Sequence, residues 1–193
     1  MNPTITILKE DTLSDNWYTL KNYTFEYKNR EGVQEEQKRE VYHNGNGVTV
    51  LLYNRQKKTV LFTRQFRIAS YTNGNPSGML IETCAGIMDE KDPEKAVIRE
   101  TEEETGLKIQ SARKVFEAYM SPGAVSEKLH FFVAEYTDTM KVSEGGGEDE
   151  EQEHIEVLEV PFEKALQMVQ SGEIKDAKTI LLLQYAQING LLD

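Results

Sequence analysis

Polar and apolar residues alternate through residues 4–8, 17–27 and 37–42, which is the period of strands with one face to solvent. Turn formers separate these runs at Ser14-Asp15-Asn16 and Arg30-Glu31-Gly32, so the pattern predicts a small antiparallel sheet at the start of the chain. Asn44-Gly45-Asn46-Gly47 then interrupts the chain, and residues 48–53 and 59–62 read as a hairpin that turns through residues 54–58. Further strands are predicted at residues 79–84, 114–119, 129–136 and 155–160. The best-marked element is a helix over residues 93–105. Asp92 stands at its N-cap, Pro93 at its first position, Glu94 in its first turn, and Gly106 just past its end. Two more helices are predicted, over residues 162–170 and 177–187. Strands and helices do not alternate regularly, which points to an α+β layered domain and away from a doubly wound sheet. The expected division is an N-terminal β-sheet region at residues 1–43 and a main domain at residues 44–193.

Composition narrows the class. A chain of 193 residues with 38% hydrophobic content can bury one sizeable core. Its longest apolar stretches, such as that around Ile180 and Leu183, fall far short of a bilayer span, and no secretory apolar segment follows Met1, so a cytoplasmic protein is expected. The single cysteine, Cys84, reads as a small buried hydrophobe. A net charge of −11 argues against a nucleic-acid surface. An anionic substrate would therefore have to be attracted locally, by a divalent cation or by a few placed Arg and Lys side chains. The glutamate-rich stretch between Ser143 and His154, with three glycines at Gly145-Gly146-Gly147, cannot pack a core and reads as a mobile, solvated loop.

The helix over residues 93–105 carries the chemistry. Helical spacing places Ala96, Glu100, Glu103 and Glu104 on one face and turns Val97, Ile98, Thr101 and Thr105 to the other sides. Like charges at these spacings, close to a helix C-terminus, each oppose stability by roughly 0.3–1 kcal/mol. A hard cation such as Mg²⁺ or Mn²⁺ relieves that conflict, because it takes oxygen ligands and shares its sphere with waters and substrate phosphates. A merely solvated glutamate-rich helix is the plain alternative.

Gly86, Arg99, Glu100, Glu103, Glu104, Gly106 and Leu107 resemble the signature of the Nudix hydrolase family. Two departures stand out: the interval from Gly86 to Arg99 is one residue short, with Asp92 at the first glutamate position, and Thr101 replaces a bulky aliphatic residue. Outside the signature, Trp17 with its preceding turn, Lys38-Arg39-Glu40, Arg64-Gln65-Phe66-Arg67, Ser121-Pro122-Gly123 and the run around Lys178 resemble the ADP-sugar pyrophosphatase branch, and within it the bacterial GDP-mannose pyrophosphatases. The resemblance implies a Nudix α/β/α sandwich, an N-terminal antiparallel sheet exchanged between the subunits of a homodimer, and Mg²⁺-dependent hydrolysis of a nucleotide sugar, GDP-mannose foremost. ADP-ribose or an ADP-sugar is the nearest enzymatic alternative, and a silent nucleotide sensor is the non-enzymatic one.

The same resemblance implies roles residue by residue. Glu100, Glu104, the backbone carbonyl of Ala85 and Glu153 are the expected metal ligands. Glu151 and Glu153 are the first candidates for the general base, with Glu103 and Glu127 behind them, and Arg99 orients the helix carboxylates. Arg67 and Lys178 are expected at the phosphate or sugar, and Trp17 against the purine. Lys38, Arg39 and Glu40 would come from the other subunit, and Ala85 and Glu127 also face substrate. His43, His130 and His154 are assigned no role.

Overall fold

The computed structural model describes residues 4–147 and 154–193. The chain divides into two compact units, residues 1–46 with 119–128, and residues 47–118 with 129–193.

In the first unit, β1 (Ile5–Asp15), β2 (Thr19–Lys28) and β3 (Gln34–His43) form an antiparallel sheet in that order. The strand β1 runs further than alternation predicts. Its register shifts between Ile7 and Lys9 and again between Thr12 and Ser14, and each shift resets which residues share a face, so the period breaks although pairing continues to Asp15 opposite Thr19. The turn after β2 forms where expected: Asn29 Oδ1 accepts the N–H groups of Glu31 and Val33, each at 3.0 Å. Residues 119–128 lie along β3, where Tyr42 N donates to Ala124 O at 2.8 Å and Tyr42 O accepts from Ser126 N at 3.1 Å. Across the three strands only Thr24 is buried, while Ile5, Ile7 and Leu13 stay half exposed.

The second unit is built on a mixed sheet. Its strands are β4 (Gly47–Asn54), β5 (Thr59–Phe66), β6 (Met79–Glu82), β7 (Cys84–Ile87), β8 (Arg113–Tyr119), β9 (Lys128–Glu135) and β10 (Glu156–Pro161). They run in the order β10-β5-β4-β9-β8, with β6 added beside β5 and β7 beside β4. The central strand β4 pairs parallel with β9 and is buried at every position, as a strand covered on both faces must be. Val48, Val50 and Leu52 pack with Ala96 and Val97 of α2 (Pro93–Thr105). The intervening Thr49 faces the opposite way, where its hydroxyl meets Thr83 Oγ1 at 2.9 Å, and Thr83 N donates to Thr179 Oγ1 of α4 (Ala177–Ile188) at 2.7 Å. Helices therefore cover both faces, giving the α/β/α layering of the Nudix fold. The helix α3 (Phe162–Ser171) buries Phe162, Ala165 and Met168.

The single strand expected over residues 79–84 is two. At Thr83 the chain leaves β5 and joins β4, and the Thr83 N–H goes to the Thr179 hydroxyl instead of to a neighbouring strand. The five-residue α1 (Ile68–Thr72) is too short to show a helical period and buries nothing.

Of the stretch read as a mobile, solvated loop, residues 148–153 lie outside the described residues, and Gly145-Gly146-Gly147 are ordered against the end of α2. All three glycines sit at positive φ, and Gly146 N and Gly147 N donate to the carbonyls of Glu104 and Glu103 at 3.0 and 3.2 Å. They satisfy acceptors that a helix C-terminus otherwise leaves open. Gly106 ends α2 in the left-handed conformation at φ +71°, and a Cβ there would lie 2.2 Å from Ser143 O. Gly106→Ala is therefore expected to lower unfolding free energy by about 1–3 kcal/mol, from the left-handed backbone plus the contact. Chemical denaturation of the two proteins measures this, and an unchanged midpoint contradicts it.

Candidate active site

The helix α2 spans the predicted residues, with Asp92 Oδ1 accepting from Glu94 N at 3.0 Å as its N-cap. Asp92 at the signature's first glutamate position is thus a helix cap here. Ala96, Val97, Thr101, Glu104 and Thr105 are its buried residues, so Glu104 belongs to the packed side of the helix and not to an open carboxylate face. Thr101, at the aliphatic position, turns its hydroxyl back to Val97 O at 2.6 Å, and the hydroxyl is satisfied without leaving the helix.

Two contacts join this helix to β7. Glu104 is only 2% exposed, and its Oε2 accepts from the backbone N–H of Ala85 at 3.1 Å. The Glu100 carboxylate lies over Gly86, where a Cβ would fall 2.0 Å from its carboxyl carbon. No residue but glycine leaves that space open. Burial first, and then the negative charge of Glu104 and Glu100, pushes the Cys84 thiol well above its ordinary range.

Arg99 gathers three acids. Its Nε donates to Glu90 Oε1 at 3.0 Å, Nη1 to Glu103 Oε2 at 2.6 Å and Nη2 to Glu100 Oε1 at 2.8 Å. Burial opposes the guanidinium charge, yet the bond to Glu90 and the charges of Glu100 and Glu103 outweigh it and raise its pKa further. The Arg99 bond holds Glu90 below the usual carboxylate range, while Glu90 Oε2 is buried without a hydrogen-bond partner among the described residues. Arg99 thus meets three carboxylates, those of Glu90, Glu100 and Glu103, while a fourth, that of Glu104 on α2, meets the Ala85 amide. An oxygen-only donor set with this excess of negative charge fits a hard divalent cation. Among the described residues no three acidic, histidine or cysteine side chains converge as a preassembled cage. Glu151 and Glu153 lie outside the described residues.

A second cluster stands on the same sheet. Glu82, at the end of β6, is 4% exposed; its Oε2 accepts from Arg67 Nε at 2.8 Å and its Oε1 from Lys178 Nζ. Burial works against the Glu82 charge, but Lys178 and Arg67 outweigh it and hold its pKa below the ordinary value. Burial likewise opposes the Lys178 charge, and Glu82 and then Asp176 outweigh it and raise its pKa. Sequence reasoning placed Arg67 and Lys178 at the substrate and missed the acid between them. A carboxylate in the apolar run Met79-Leu80-Ile81-Glu82 is the signal that could have found it, since a buried charge requires a partner. Glu90 was missed for a different reason, because it lies in the irregular segment before α2.

The remaining site residues belong to the first unit. Trp17 is 79% exposed, meets Tyr18 edge-on at 6.4 Å and is not a core residue. Lys38, Arg39 and Glu40 are exposed on β3, with Arg39 Nη1 donating to Lys38 O at 2.7 Å. Glu127 Oε1 accepts from Asn44 Nδ2 at 3.1 Å.

The Gly86 contact has a direct consequence. Gly86→Ala forces the Glu100 carboxylate away from β7, so divalent-cation affinity is expected to fall by at least about tenfold while the protein stays folded. Calorimetric titration with Mn²⁺ alongside circular dichroism reads both, and wild-type affinity in a folded variant contradicts the assigned geometry.

Comparison with known proteins extends the picture to the whole chain. Residues 4–42 match the family model described as the GDP-mannose pyrophosphatase NudK N-terminal domain, and residues 43–183 match the NUDIX domain. The chain is 55% identical over 193 residues to a GDP-mannose pyrophosphatase of Salmonella paratyphi B and 52% identical to one of Escherichia coli O1:K1, each covered over 100% of both sequences. A solved ADP compounds hydrolase superposes with a TM-score of 0.73 over 99% of this chain and 96% of that one, and at 18% identity the likeness is one of fold. Signature, layering and relatives agree, and the chain belongs to the Nudix hydrolase family.

Proposed function

We propose that this protein hydrolyses the pyrophosphate bond of a nucleotide sugar, converting GDP-mannose to GMP and mannose 1-phosphate, as a cytoplasmic homodimer that uses Mg²⁺ or, in its place, Mn²⁺. The observation that carries the reading is the carboxylate-rich α2 seated on Gly86 and Ala85, in a chain matched over its full length by GDP-mannose pyrophosphatases.

Glu100, Glu104, the Ala85 carbonyl and Glu153 would hold the cation, which when bound neutralises charge on the diphosphate oxygens. Arg99 keeps Glu100 and Glu103 oriented through two of its three ion pairs. The base that accepts the water proton is Glu151 or Glu153, with Glu103 and Glu127 next. Supporting this, the glutamate-rich segment starts and ends at one place: Gly146 N is bonded to Glu104 O, and Gly146 O accepts from Ile155 N at 3.1 Å. Arg67 and Lys178 take the phosphate or sugar, and Glu127 contributes to substrate binding. Trp17, fully presented to solvent, supplies a stacking face for the purine.

The dimer reading rests on the first unit. Three strands that bury only Thr24 and leave Ile5, Ile7 and Leu13 half exposed need a partner surface. Exchange of this sheet would let Lys38, Arg39 and Glu40 serve the neighbouring subunit's site. The expected result of sedimentation is a dimer at micromolar concentration, and a fully active monomer would remove those three residues from the site.

An ADP-sugar or ADP-ribose substrate is the second reading, since the same carboxylate helix would serve a substrate with a different base. A Mg²⁺-supplemented panel of GDP-mannose, GDP-glucose, ADP-ribose and ADP-glucose separates the two. GDP-mannose is expected to give the highest kcat/KM, and Glu104→Gln to lower it by about two orders of magnitude or more. Turnover of none of the four defeats the enzymatic reading in favour of a nucleotide sensor.

A further inference from the structure

The charged trio of Arg67, Glu82 and Lys178 has no evident origin in stability. A buried ion pair is often no more stabilising than well-packed apolar residues of the same volume, so an acid in the run Met79-Leu80-Ile81-Glu82 calls for another reason. The geometry supplies one. The two oxygens of Glu82 are divided, one to Arg67 Nε and one to Lys178 Nζ, which ties two distant parts of the chain to a single carboxylate. The Arg67 side chain remains 41% exposed and that of Lys178 12% exposed, while the Glu82 side chain between them is 5% exposed. The acid is thus the most hidden member, Lys178 is nearly as enclosed beside it, and Arg67 is the one that reaches the surface.

Each cation has its own anchoring. The backbone N–H of Arg67 donates to Gly78 O at 2.8 Å, and its carbonyl accepts from Ser70 N and Tyr71 N at the start of α1. Lys178 Nζ also reaches Asp176 Oδ1 at 3.1 Å, while Asp176 Oδ2 caps α4 by accepting from Thr179 N at 3.0 Å and Thr179 Oγ1 at 2.7 Å. Thr179 Oγ1 in turn accepts from Thr83 N, next in the chain to Glu82. Backbone and side-chain bonds therefore fix both ends of the bridge. Glu82 also lies only three residues before Ala85, on the same run of chain that receives Glu104 and Glu100.

We propose that Glu82 is a positioning residue for substrate binding: it holds Arg67 and Lys178 at a set separation so that together they meet the anionic diphosphate-sugar portion of the substrate. The inference rests on the reading that these two cations contact substrate, and adds that neither does so independently of Glu82. A bidentate anchor reduces the freedom both long side chains would otherwise lose on binding, so its contribution belongs in affinity more than in the chemical step.

The test is steady-state kinetics on GDP-mannose at saturating Mg²⁺ for Glu82→Gln, Glu82→Asp, Arg67→Ala, Lys178→Ala and the double variant Glu82→Gln/Arg67→Ala, with thermal melts of each. Glu82→Gln is expected to raise KM by about tenfold while kcat stays within about threefold. Glu82→Asp, which keeps the charge on a shorter stem, is expected to fall between Gln and wild type. In the Arg67→Ala background the Gln change should raise KM by clearly less than it does in the wild type, because one of the two groups it positions is gone and only Lys178 is left to be held. Wild-type KM in Glu82→Gln, or a lower melting point and kcat with KM unchanged, overturns the proposal while a raised KM in Arg67→Ala leaves the substrate contact standing. Fully additive KM effects in the double variant also overturn it. Wild-type KM in both Arg67→Ala and Lys178→Ala overturns the contact and the proposal together. Should Glu82→Gln not fold, wild-type KM in Glu82→Asp overturns it and a raised KM with kcat kept supports it.

Discussion

A helix that carries Glu100, Glu103 and Glu104 near its C-terminus repels itself and meets its own dipole with the wrong sign. The local structure is arranged around that repulsion. Arg99 draws in Glu100 and Glu103 from the helix and Glu90 from the segment before it. Ala85 offers a backbone N–H to Glu104, and Gly86 leaves room for Glu100 to lie against the sheet. Two glycine amides cover the carbonyls of Glu103 and Glu104. Each device orders one acid or one helix end, yet the four carboxylates still outnumber the guanidinium. That remaining charge gives a hard cation its place there, and it adds to the burial that raises the Cys84 thiol above its ordinary range.

Elements whose limits are set by local chemistry were legible from residues alone. The bounds of α2 follow from Asp92, Pro93 and Gly106, each acting within its own turn. The predicted hairpin of β4 and β5 forms, although β5 continues to Phe66. Limits set by distant partners were not legible. The break at Thr83 depends on a hydroxyl from Thr179, and the length of β1 depends on bulges that only pairing with β2 reveals. The three glycines belong to a stretch that reads as a mobile loop because its composition permits it. The amides of Gly146 and Gly147 are committed to the end of α2, which no local pattern announces.

The candidate site shows the same division. The signature located Arg99, Glu100, Glu103 and Glu104 together, since helical spacing converts sequence distance into proximity. Helical spacing also grouped Glu104 with Glu100 and Glu103 on one face, and packing of α2 on β7 buries Glu104 there. Arg67 and Lys178 were located by resemblance, but the carboxylate joining them is a tertiary contact over 15 residues to one and 96 to the other. A buried acid in an apolar strand was the one visible trace of it.

The carboxylates of α2, the Glu82 bridge and the glycines bonded to the end of α2 all belong to the second unit, built on the strands around β4. The first unit brings Trp17 and the charged run at Lys38, Arg39 and Glu40, the parts assigned to the purine and to the neighbouring subunit. In the proposed function a cation held by α2 would connect substrate to cleavage. Anomalous diffraction from a crystal soaked with Mn²⁺ and a non-hydrolysable GDP-mannose analogue tests that connection most directly. The account predicts a peak in bonding contact with the carboxylates of Glu100 and Glu104 and with an oxygen of the diphosphate. Manganese bound elsewhere, with Glu104 still closed on the Ala85 amide, would contradict it.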